Sequence, residues 1–70
     1  MLGIVNWELE NTATGEKTER VNREYAVNLA HRTLLNGYDP STVHLRGYDA
    51  EGNEMVDYVG NELLAAIQER

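Results

Sequence analysis

The chain has 70 residues, one Pro and no Cys, and sets twelve Asp and Glu against six Lys and Arg for a formal net charge of -6. That length allows a single domain, 1–70, which buries only about 60% of the surface its unfolded form exposes, and without Cys it has neither disulfides nor a thiolate zinc cage to reinforce it. The charge disfavours nucleic acid and anionic membrane as direct ligands, since both are bound by cations that displace counterions.

Met1-Leu2-Gly3-Ile4-Val5 passes at once into polar residues, which is not the pattern of a secretory leader. No apolar run approaches the roughly 18 residues of a membrane span, and a cytoplasmic location is expected. Val5, Trp7 and Leu9 then alternate with Asn6, Glu8 and Glu10, the period of a half-buried strand. Asn11-Thr12-Ala13-Thr14-Gly15-Glu16 suits a type I turn closed by a left-handed Gly. The polar run from Glu16 to Val21 reads as an edge strand whose charges discourage further pairing.

Asn22 is a natural N-cap for a helix and Gly37 a natural residue just past its end. At about 100° per residue, Tyr25, Ala26, Val27, Leu29, Ala30, Thr33 and Leu34 fill one arc. Asn28, His31, Arg32 and Leu35 fall opposite. Trp7 is expected against the small residues Ala26 and Ala30. Tyr38-Asp39-Pro40-Ser41 reverses the chain, since Pro40 forbids helical continuation.

A second hairpin pairs Thr42–Tyr48 with Asn53–Val59, and its register is open to two readings. A three-residue loop, favoured by Gly52, groups Val43 and Leu45 with Met55, Asp57 and Val59. A four-residue connection groups them with Val56 and Tyr58 instead and leaves Asp57 outside with His44. A slip of one residue exchanges the two faces. The second grouping is preferred because it buries no carboxylate, and it leaves Met55 and Val59 on the open face. Gly60-Asn61 then opens a short helix from Glu62 to about Gln68, with Leu63, Leu64 and Ile67 apolar; two turns need a surface to dock on. The expected fold is α+β in the order ββαββα: a four-stranded antiparallel sheet, a main helix across one face and a short C-terminal helix.

The loop Gly47-Tyr48-Asp49-Ala50-Glu51-Gly52-Asn53-Glu54-Met55 is rich in calcium-ligand types. With Gly52 sixth in an EF-hand loop, however, the first and twelfth positions fall to Gly47 and Tyr58, which cannot serve. It reads as a hairpin tip. His31 and His44 lack the spacing that sets two ligands on one face, and Ser41, His44 and Asp57 lack the strained turn and oxyanion hole of a hydrolase. No cofactor, metal or catalytic residue is expected.

The acidic bias is the feature that points outward. From Gly47 to Glu69 there are six acids and no Lys or Arg. Glu8 and Glu10 share a strand face at a repeat of about 6.6 Å, close to the spacing of successive backbone phosphates. With Asp49, Glu51, Glu54 and Asp57 they form an expected stripe for a basic surface, and Tyr48 is the aromatic anchor beside it. The ββαββ plan, small size and acidity resemble those of short phage- and plasmid-encoded proteins, anti-CRISPR inhibitors among them. That resemblance implies a non-enzymatic inhibitor that occupies a partner's nucleic-acid-binding surface. The alternative expectation is an oligomerisation module, a homodimer formed through its sheet.

Overall fold

The computed structural model describes residues 3–69; Met1 and Leu2, where the leader reading begins, lie outside them. The elements run β1 (Asn6–Asn11), β2 (Glu16–Val21), α1 (Arg23–Leu35), a 3-10 turn (Pro40–Thr42), β3 (Val43–Tyr48), β4 (Glu54–Tyr58) and α2 (Asn61–Gln68). All neighbouring strands are antiparallel, in the order β2-β1-β3-β4. This is the expected ββαββα arrangement. Both hairpins sit side by side because β1 pairs with β3, placing the N-terminal strand at the centre of the sheet.

Local chemistry fixes the connections. Asn11 closes the first turn, its carbonyl accepting from the N–H groups of Thr14 and Gly15 and its Oδ1 from Ala13. Asn22 caps α1, its Oδ1 accepting from Tyr25 N at 2.7 Å. Asp39 caps the 3-10 turn in the same manner through Ser41 N at 2.9 Å.

One face of the sheet carries the core. Trp7, Leu9, Val43 and Leu45 are buried with Ala26, Val27 and Ala30 of α1 and Leu63, Ala66 and Ile67 of α2. Trp7 stacks on Tyr58, two strands away, with ring centroids 6.3 Å apart, and the Arg23 guanidinium lies over its ring. Between them in the sheet stands Gly47, where an added Cβ would meet Ile4 at 2.9 Å and Val56 at 3.0 Å. Neighbouring side chains have taken that residue's volume.

Three expectations about burial are corrected. Val5 precedes β1 rather than extending it, and is exposed. Tyr25 stands at the outer margin of the helix arc, half out in water, because the small Ala26 and Ala30 draw the contact line toward Val27. Leu64 of α2 also remains substantially exposed, while Leu63, Ala66 and Ile67 make the contact.

The β3–β4 register answers the ambiguity in the sequence. Leu45 pairs with Tyr58 and Gly47 with Val56, so the preferred grouping is the one formed. Tyr48, however, pairs with Glu54, and Asp49 N donates to Asn53 O across a three-residue tip with Gly52 at φ 85°. Both signals hold because a bulge at Met55 separates them. One extra residue in β4 converts the register that the turn dictates into the one that the core requires.

Candidate functional site: a carboxylate ring around one guanidinium

Both helices pack on one side of the sheet, and the other side is open. Strand alternation delivers Glu8 and Glu10 from β1 and His44, Arg46 and Tyr48 from β3 to that open side. From β4 come Glu54 and Asp57, which are three residues apart. In a straight strand such a pair would face opposite ways; the bulge at Met55 brings both to the same side.

Arg46 is the hub. Its Nη1 donates to Glu8 Oε2 at 2.9 Å and to Glu10 Oε1 at 2.6 Å. Its Nε lies 3.6 Å from Glu54 Oε1 and 3.5 Å from Asp57 Oδ2, contacts that are coulombic rather than hydrogen bonds. Around this centre, His44 Nδ1 lies 3.0 Å from Asp57 Oδ1, and the Tyr48 hydroxyl donates to Glu8 Oε1 at 3.2 Å. Four carboxylates thus share one guanidinium, so the ring itself is net negative, while Lys17, the partner of Glu10 on β2, stands beside it on the same face.

The ring perturbs its own members. Burial of the Arg46 guanidinium would weaken its hold on its proton, but the bonds to Glu10 and Glu8 outweigh this and raise its pKa above the ordinary value. The hydrogen bond from Arg46 in turn lowers the Glu10 carboxyl below its usual range, against the opposing effect of desolvation. Burial, reinforced by the Glu8 charge, pushes the Tyr48 phenol up. Among the described residues no buried side-chain nitrogen or oxygen lacks a hydrogen-bond partner.

The seven residues expected from the sequence separate into three settings. Glu8, Glu10 and Tyr48 form the more covered part of the ring, and Glu8 is only 5% exposed. Glu8 and Glu10 do not stand apart at strand pitch, since both carboxylates turn onto the same nitrogen. Asp49 is also buried and is committed to its own turn. Its Oδ1 accepts from Glu51 N and Asn53 N at 2.9 Å each, and its Oδ2 from Asn53 Nδ2 at 3.1 Å. Those bonds, chiefly the one from the Asn53 backbone, hold its carboxyl below the usual range. Glu51, Glu54 and Asp57 lie along the β4 side and hairpin tip, the first two exposed and Asp57 half-buried. The acidic excess that meets solvent is therefore on this side. No family model, curated protein or solved structure matches the chain.

Arg46 is the member that sequence reasoning missed. A signal was available: it is the sole Lys or Arg between Tyr38 and Glu69 and shares strand parity with His44 and Tyr48. Its partners Glu8 and Glu10 are 38 and 36 residues away, however, and pattern analysis within one hairpin does not reach them. Between the hairpin tip and β2 the same face dips into an open cleft of about 680 Å³, lined by Lys17, Glu19, Arg20, Tyr48 and Glu51 among others. Met55, expected on the open face, sits in the bulge and is 42% exposed there.

Proposed function

We propose that the protein is a non-enzymatic interaction module that docks its open, acidic sheet face on a basic surface of a partner protein. The observation that carries this reading is the uncovered side of the sheet, where four carboxylates surround a single guanidinium and Glu51 and Glu54 are exposed to solvent at one end. Ion pairing within the ring holds the carboxylates in fixed positions, which lowers the entropy lost when a partner cation arrives. A nucleic-acid-binding groove on a protein is the kind of basic surface that suits such a face, and an inhibitor that occupies one is the form of the proposal closest to the chain's size and charge. A cytoplasmic setting fits this role; among the described residues no helix is long and apolar enough to cross a membrane.

A homodimer through the same face is the lesser reading, since it would set one net-negative carboxylate ring against another. Complementary charge mainly accelerates association and makes it sensitive to salt. Capture of a basic partner should therefore weaken at least about tenfold between roughly 0.05 and 0.5 M salt, and Glu51→Lys with Glu54→Lys should weaken it further at low salt. Capture that is indifferent to both changes would remove the electrostatic basis of the proposal.

A further inference from the structure

We infer that the partner is engaged by strand addition at the outer edge of β4, through an extended segment with Lys or Arg at alternate positions. This rests on the interaction reading above and specifies its geometry. β4 ends the sheet, and among the described residues its backbone hydrogen bonds run only to β3, so its outer N–H and C=O groups are left for another chain. Side chains of an added strand would alternate between two environments. On the open side they would meet Glu54, which touches Arg46 only at long range and is exposed, and Asp57, whose oxygens meet His44 Nδ1 at 3.0 and 3.2 Å. On the helix side they would meet Val56 and Tyr58, both incompletely covered. Met55, 42% exposed, lies at the entry of the edge.

Charge selects the occupant. Every ionisable side chain on or beside this edge from Asp49 to Asp57 is acidic, so a second copy of the chain would set carboxylates against carboxylates. A segment that alternates basic and apolar residues matches both sides at once. The other edge of the sheet is less suited to this use, since the β4 bulge is confined to Met55 and leaves Val56, Asp57 and Tyr58 in regular pairing with β3. β2 carries Glu16, Lys17, Glu19 and Arg20 in mixed sign, and its ladder is broken by an irregularity where Arg20 takes φ 58°, the one left-handed residue other than glycine among the described residues. Mixed charge and a twisted ladder are the means by which edges are protected.

The test uses the full chain, labelled for amide NMR, and two synthetic peptides of identical composition. One alternates four Lys with three Val; the other places the Lys in adjacent pairs. At about 50 mM salt the alternating peptide should bind roughly tenfold more tightly or better, slow amide exchange within Met55–Tyr58, and weaken severalfold against Glu54→Gln, an exposed change that leaves the core untouched. Equal binding of both peptides, with shifts centred on Arg46 rather than β4, would overturn strand addition while sparing the acidic-face reading. Binding of neither peptide would overturn both.

Discussion

Arg46 is the residue on which the open face turns. Removing its guanidinium leaves the buried Glu8 beside Glu10 with only the Tyr48 hydroxyl as a partner, a situation that is strongly destabilising because a desolvated carboxylate loses its counter-charge. Arg46→Ala should lower the unfolding free energy by about 3 kcal/mol, the low end for a buried pair, because the Arg46 side chain retains 18% exposure. A domain of this size has roughly 4–10 kcal/mol in total, so the loss would be plain in urea titration. Arg46→Lys should recover part of it but not all, since an ammonium has one nitrogen and cannot bond Glu8 and Glu10 while setting a second N–H group toward Glu54 and Asp57. Gly47 is constrained for a different reason. Its backbone is unstrained, but Ile4 and Val56 already occupy the space of a side chain, and Gly47→Ala should cost about 1–3 kcal/mol through overpacking. Unchanged thermal stability in that variant would mean the two neighbours yield freely.

Among the elements, β4 is the most informative, because its bulge reconciles a turn with a core. Deleting Met55 should leave every other pairing in place. Glu54 would still oppose Tyr48, and Val56, Asp57 and Tyr58 would each move up one place and keep Gly47, Arg46 and Leu45 as partners. We therefore expect the deletion variant to fold with a stability change of no more than about 1 kcal/mol in urea titration, and to remain monomeric at that edge because Glu54 and Asp57 still repel a second copy. A variant that fails to fold would show that the bulge also serves the hairpin's twist. The same element marks the limit of what the sequence reveals. Asn11, Gly15, Asn22, Gly37 and Gly52 announce their turns and caps through their own backbone preferences, and the alternation of Trp7 with Leu9 and of Val43 with Leu45 gives the buried faces. A bulge has no such local signature. It exists because the Gly52 turn and the burial of Val56 and Tyr58 demand different registers, a conflict visible in the sequence though its resolution is not. The ring around Arg46 was half legible: strand parity placed Glu8 and Glu10 on one face, but the cross-pairing of β1 with β3 that brings Arg46 between them is set by tertiary packing.

For the whole molecule, the carboxylates decide how stability depends on pH. Glu10, Asp39 and Asp49 all have folded-state pKa values below their ordinary 4.5, 3.8 and 3.8. The causes are the Arg46 hydrogen bond for Glu10, the Ser41 backbone for Asp39 and the Asn53 backbone for Asp49. Depressed acids contribute stability that is complete above the unfolded values and disappears as pH falls through the folded ones. The fold should thus hold a plateau above about pH 5 and weaken progressively below about pH 4.5, with Asp49→Asn flattening part of that decline; a denaturation midpoint unchanged down to pH 3 would contradict these assignments. Trp7 offers one more consequence. It is the chain's only tryptophan, and its indole is held between a phenol ring from the far strand of the sheet and a guanidinium from the first turn of the helix. Its fluorescence therefore monitors the joining of three elements distant in sequence, so a single emission trace should separate a frayed terminus, which leaves the signal unmoved, from true opening of the domain.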